Sequence, residues 1–189
     1  PCFVHWPAGG WTGGRDIPVL AAHLDLLPTL VELCGLDWTP PRPLDGRSLV
    51  PLVRGETAAW SDRTLFVHVQ RQEIPPKWGA SAVMTDRWRL VNGIELYDIK
   101  ADPAQSKDVA GQYPDIVAQL RARYEEWWAT LEPVFQRYGC IVVGAGAENP
   151  TRFTCMDWHA PDLGQIPWDQ TQVQKMPWAN GWWMVEVAQ

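Results

Sequence analysis

The apolar positions of this chain change period along its length, and each period predicts an element. Over 24–34, Leu26, Leu27, Leu30, Val31, Leu33 and Cys34 recur every three to four residues, which predicts a helix with one wide apolar face turned inward. Asp25 stands where a carboxylate can accept from the first free amides, and Pro28 falls in the tolerant first turn. Gly35 suits the left-handed position beyond the last turn. Cys34 reads as a small buried hydrophobe. His23 is either an N-terminal hydrogen-bonding residue or a side chain reaching toward a site. Upstream, "CFVHW" at 2–6 reads as a short buried strand ended by Pro7 and the glycines at 9, 10, 13 and 14.

After a Pro-rich connector, 39–55, with a helical turn around Leu49–Val53, the period shortens to two. "RTLFVHVQ", 63–70, alternates as a strand does, and 80–99 reads as two strands with turns at Thr85–Asp86 and Asn92–Gly93. Together they predict an antiparallel meander of three or four strands. Period 3.6 then returns over 113–133, where Pro114 opens a helix whose apolar face is Ile116, Val117, Leu120, Tyr124, Trp127 and Leu131. Arg121 and Glu125 are spaced to pair along it. A one-faced sheet with one amphipathic helix to cover it makes an α+β unit. Beyond Tyr138 helical periodicity ends, and short β-like runs between turn residues predict a β-rich extension. A chain that opens and closes in strands leaves unpaired edges, which points to excision from something larger.

Composition narrows the function classes. The 189 residues carry a net charge of −6, so no basic stripe is available to neutralise nucleic-acid phosphates. No apolar run approaches the roughly 20 residues of a membrane-spanning helix. "PCFVHW" has none of the parts of a signal peptide. Cys2, Cys34, Cys140 and Cys155 form no CxxC pair and no zinc spacing, although Cys140 and Cys155 flank a Gly-rich turn and could pair in an oxidising compartment. The 13 Trp are the outlying number. Each either stacks on a sugar ring or packs an irregular loop against the sheet.

Five segments in order then carry a resemblance: "PCFVHWPAGG", "HLDLLPTLVELCGL", "LDGRSLVPLVRG", "MTDRWRLVNGIELYDIKADPAQSKDVAGQYP" and "LRARYEEWW". Over about residues 1–130 the chain resembles the C-terminal part of the type I, arylsulfatase-like sulfatases of the alkaline-phosphatase-like superfamily. The resemblance implies the end of a large α/β domain at 1–60, a small antiparallel α+β domain at 61–139 and a β-rich extension at 140–189. It also implies an enzyme that hydrolyses sulfuric esters, aryl or glycan, with a formylglycine nucleophile and a calcium ion. A periplasmic or extracellular setting follows from the same resemblance. No nucleic-acid or membrane partner is expected.

No cysteine or serine here begins the C/S-x-P/A-x-R motif from which formylglycine is made, and the family's paired metal aspartates are missing. No catalytic residue or metal ligand is therefore assigned in this chain, and it is not expected to turn over sulfate esters alone. Two stretches are candidates for substrate-pocket wall. "HVQRQEIPPKW", 68–78, carries His68, Arg71 and Lys77 in a proline-stiffened loop whose cations suit a sulfate or a sugar carboxylate, or which is simply solvated. "CMDWHAP", 155–161, joins Asp157, Trp158 and His159, a set suited to sugar hydroxyls or to ordinary packing. Two other readings are a stand-alone Trp-rich carbohydrate-binding module and a structural or oligomerising domain.

Overall fold

The computed structural model describes residues 2–56, 60–69, 75–135, 137, 139–154, 157, 159, 174–175 and 181–188. The chain divides into two compact units, Pro1–Val69 with Trp78–Tyr124, and Gln70–Lys77 with Glu125–Gln189.

In the first unit, a 3-10 turn at His23–Asp25 runs into helix α1, Leu26–Leu33, and a short helix α2 follows at Val50–Arg54. The expected period is present in α1, but its sides are reversed. Asp25 and Thr29 are buried, whereas Leu26, Leu27 and Leu30 are 43–56 % exposed and Cys34 is an exposed thiol. Asp25 does not cap the helix either. Its carboxylate turns back to accept from the Ala22 amide (2.7 Å) and the Arg47 amide (2.9 Å). It also takes both arms of Arg63, Nη1 to Oδ1 at 2.8 Å and Nη2 to Oδ2 at 3.0 Å. Burial pushes the Asp25 carboxyl up, but the Arg63 guanidinium and the two amides outweigh it and hold it below the ordinary range.

Thr29 extends the lock by one turn: its hydroxyl donates to the Asp25 carbonyl (2.6 Å) and accepts from the Leu49 amide (2.8 Å). Gly46 is required by the same approach, because a Cβ there would lie 1.9 Å from the Leu24 carbonyl oxygen. Arg15 donates to the carbonyls of Leu52 and Val53 near the end of α2, whose Val50 and Leu52 side chains are buried. Residues 2–5 form no strand and stand exposed, Phe3 at 91 %; only Trp6 pairs, across a single bridge to Trp11. No neighbouring strand reaches this segment among the described residues, so its β-like pattern has nothing to bond to.

The meander is complete and four-stranded: β1, Leu65–His68; β2, Ser81–Met84; β3, Trp88–Val91; and β4, Glu95–Asp98, all antiparallel in that order. The stretch 80–99 thus makes three strands rather than two, because each of its two turns reverses the chain. At the second turn Asn92 and Gly93 have φ of 51° and 70°, the primed geometry that hairpins favour. Register sets Phe66, Val83, Leu90 and Leu96 opposite one another on one face.

Helix α3 runs over Pro114–Leu131, and its part up to Tyr124 packs on that face. Leu120 and Tyr124 are buried with the strand residues, and the Tyr124 ring lies 6.5 Å from Phe66 in an edge contact. The expected Arg121–Glu125 pair gives way to other partners: Arg121 donates to the Gly93 carbonyl (3.1 Å), and Glu125 takes Lys77.

The outer edge of β4 is closed by the segment after it. The Leu96 amide donates to Asp108 Oδ1 (3.0 Å), and the Val109 amide donates to the Leu96 carbonyl (2.8 Å). Three carboxylates organise this turn. Asp98 accepts from Arg87 and from the Lys100 and Ala101 amides; Asp102 accepts from the Ser106 and Lys107 amides; Asp108 accepts from the Ala110 and Leu96 amides. The Arg87 bond holds the Asp98 carboxyl below its usual range, and the backbone amides do the same for Asp102 and Asp108.

In the second unit, the last turns of α3 bring Trp128 against Phe135, ring centroids 5.3 Å apart, and it is Trp128 rather than Trp127 that is buried. Strands β5, Ile141–Val143, and β6, Val185–Val187, pair in parallel. Cys140 is an exposed thiol, and Cys155 lies outside the described residues.

Replacing Asp25 with Asn leaves the Arg63 charge buried against a neutral partner, and the expected loss is about 3–5 kcal/mol of stability, read as a lower urea midpoint. The acid response follows from carboxyls held low in the fold. Their contribution is fully present above the unfolded carboxyl range, near pH 4, and is lost as pH falls through the lower folded values. Urea unfolding repeated between pH 7 and pH 2.5 should show that decline below about pH 4, and the Asp102→Asn, Asp108→Asn double variant should flatten it.

Candidate functional site

The connection between β1 and β2 holds the first group of expected site residues. His68 ends β1 half-buried, opposite Ser81, and the Val69 amide donates to the Ala80 carbonyl (3.1 Å). Arg71 lies outside the described residues. The Lys77 ammonium is ion-paired with Glu125 on α3. In the first unit the chain resumes at Trp78 in a conformation no sequence pattern announced. Trp78 and Ala80 have φ of 64° and 48°, left-handed values that cost on the order of 1–3 kcal/mol for residues with side chains. The Trp78 indole stacks on the Tyr124 ring, centroids 3.7 Å apart, and the Arg121 guanidinium lies 5.6 Å from the indole centroid.

The second group lies in the extension. Asp157 Oδ2 accepts from the Thr154 amide and hydroxyl, both at 2.8 Å, and the amide foremost holds its carboxyl below the ordinary range. His159 exchanges backbone hydrogen bonds with Trp182, and its ring stacks on that indole, centroids 4.6 Å apart at 24°. Trp183 donates to the Thr154 carbonyl (3.3 Å) and packs against Phe153. Trp158 lies outside the described residues. Asp157 thus acts on its own turn, and His159 belongs to an aromatic cluster with Trp182. Their neighbours Trp182 and Trp183 are far off in sequence, so no local spacing signals the contact.

A third feature was not anticipated. An open pocket beside the Asp25–Arg63 pair is lined by Leu20, Trp60, Ser61, Asp62, Arg63 and Asp86, among others. Arg63 and Arg47 both lie over Trp60, 5.5 Å and 5.9 Å from the ring centroid, and Arg47 bonds the Ser61 carbonyl and hydroxyl. The run Trp60-Ser61-Asp62-Arg63 was its only sequence signal. Among the described residues no three His, Cys, Asp or Glu side chains gather to hold a metal ion. No helix searched among them is long and apolar enough to cross a membrane.

Comparison with known proteins gives these elements a common setting. Residues 1–129 match the family described as N-sulphoglucosamine sulphohydrolase, C-terminal. Arylsulfatase D of Homo sapiens is 27 % identical over 172 residues, covering 73 % of this chain and 29 % of the relative. The Delta 4,5-hexuronate-2-O-sulfatase of Bacteroides thetaiotaomicron is 32 % identical over 111 residues, covering 55 % of this chain and 23 % of the relative. A solved 2-O GAG sulfatase overlaps 61 % of this chain and 26 % of its own, with 29 % identity and a TM-score of 0.43. This chain therefore spans less than a third of the length of these relatives. With the family match covering residues 1–129, the chain belongs to the C-terminal sulphohydrolase family of the sulfatases.

Proposed function

We propose that this chain is the C-terminal part of a sulfuric-ester hydrolase, closing over and helping to wall a site carried elsewhere in that enzyme. The observation that carries this reading is the family match over residues 1–129. It is supported by helix α1, whose polar side is fully bonded while Leu26, Leu27 and Leu30 stand in solvent. Contiguous leucines left outside on one helix face suit a surface that meets more protein.

In this reading residues 1–60 are the end of the enzyme's large α/β domain, 61–139 form the small closing domain, and 140–189 extend it. His68, Arg71 and Lys77 contribute cations to the pocket wall. Asp157, Trp158 and His159 contribute polar groups and an aromatic face toward a sugar or aryl ring. Formylglycine and calcium belong to the intact enzyme. The substrate class is a sulfate ester, aryl or glycan, and the enzyme works in the periplasm or outside the cell.

The test compares the intact protein, purified from its native source, with the 189-residue chain. Sulfate release is followed from 4-nitrophenyl sulfate and from a 2-O-sulfated uronate disaccharide. The intact protein should release sulfate from at least one and lose that activity with EDTA, whereas the chain alone should release none. Turnover by the isolated chain, or an intact protein inert toward both, would overturn the reading.

A further inference from the structure

The meander has two faces, and the packing of α3 explains only one. Successive side chains of a strand point to opposite faces. The second face therefore carries Met84, Arg89 and Tyr97 in one row across the strands, and Val67, Ala82 and Val91 in the next. An antiparallel sheet whose second face meets only water alternates apolar inward with polar outward. This face does not read that way. Val67 is 47 % exposed, Ala82, Met84 and Val91 are half-buried, and the charged side chains among these strand positions are Arg89 and Glu95 alone.

Arg89 lies on an inner strand of that face, half-buried and without an ion pair among the described residues. Its Nη1 donates to Gln105 Oε1 (3.0 Å), a neutral partner. Its Nε is closed off from solvent and finds no acceptor among the described residues. The carboxylate on the same face is engaged elsewhere, because Glu95 accepts from the Tyr97 hydroxyl (2.8 Å). A guanidinium drawn out of water is costly until an anion meets it, and a buried donor calls for an acceptor.

The relatives are covered over less than a third of their length, so in the reading above most of the enzyme lies outside this chain. An apolar face with one unanswered cation is complementary to an apolar surface that carries one carboxylate. We propose that the second face of the sheet docks onto the part of the enzyme outside this chain, with Val67, Ala82 and Val91 in apolar contact and an Asp or Glu of that part accepting from Arg89. The inference rests on the reading that this chain is the C-terminal part of a larger hydrolase. It adds which face of the small domain is covered and what chemistry its partner presents, and it gives Arg89 no contact with substrate.

The experiment uses the intact enzyme carrying Val67→Cys or Ile94→Cys, treated with a maleimide and read by peptide mass at each position. Both side chains are exposed in this chain, Val67 at 47 % and Ile94 at 70 %, and Ile94 sits in the turn between β3 and β4. Docking should slow labelling at 67 at least about tenfold relative to 94, because thiol reactivity follows access. Equal rates would overturn the proposal.

The Arg89→Lys variant identifies the occupant. A carbodiimide condenses a lysine amine with a carboxylate in contact with it, taking up the water released. Digestion should return position 89 joined to an acidic residue from outside residues 1–189. A link to an acidic residue within 1–189, of the same or a second copy, or no link at 89, contradicts the proposal. Arg89→Gln tests the other claimant, a substrate anion. It leaves the partner carboxylate without its cation, so the enzyme should melt at a lower temperature while KM stays within about twofold. A KM raised about tenfold at unchanged kcat and unchanged melting temperature would assign Arg89 to substrate and remove it from the interface. Labelling and cross-linking need no turnover. An intact protein inert toward both sulfate esters therefore fails the reading above, whereas an active enzyme with Val67→Cys open to the maleimide fails this proposal alone.

Discussion

A carboxylate with no solvent exposure is tolerated only when every lone pair is answered, and Asp25 meets that demand with groups from three other places in the sequence. Ala22, Arg47 and Arg63 must all arrive for the charge to be buried at all. The pair is weak evidence for net stability, because taking two ions out of water costs nearly what their attraction returns. Its consequence is geometric. It turns the polar side of α1 inward, draws the Gly46–Leu49 segment against the Leu24 carbonyl, and seats Arg63 beside Trp60 two residues before β1 begins. The exposed leucine face of α1 is the other half of the same arrangement.

The same chemistry recurs at smaller scale after β4, where Asp98, Asp102 and Asp108 tie the chain through backbone amides. Each is a short polar side chain bonding backbone groups that a compact turn would otherwise leave without partners. This accounts for the aspartates of "ELYDIKADPAQSKD", each of which bonds backbone amides of its own turn. All three aspartates are turn-formers, and Asp108 also closes the edge of the sheet at Leu96.

Much of this was legible in the sequence wherever one period governed a segment. The meander, its Asn92–Gly93 turn and helix α3 follow from alternation, a favoured turn dipeptide and a 3.6-residue repeat. The failures have one cause in common: each turned on a partner distant in the chain. Periodicity placed Leu26, Leu27 and Leu30 on one face of α1 but could not say which face is covered, and the covered face proved to be that of Asp25 and Thr29. "CFVHW" has a strand's composition, but a strand needs a neighbour. Lys77 and Glu125, like Trp78, Tyr124 and Gly93, meet only through tertiary contacts, so no spacing rule within one element could have found them. In the extension, His159 found its stacking partner 23 residues on, at Trp182.

Fold and family point the same way: a small sheet-and-helix domain, a locked connector and an uncovered apolar helix face, in a chain whose matched region belongs to a sulfatase C-terminal family. The central claim is that the chemistry resides in protein encoded with this chain and outside it. The most direct measurement is the nucleotide sequence immediately upstream of the Pro1 codon in the native source. The account predicts an open frame that continues into a C-x-P/A-x-R or S-x-P/A-x-R motif. A start codon just upstream, with no such motif in frame, would contradict it.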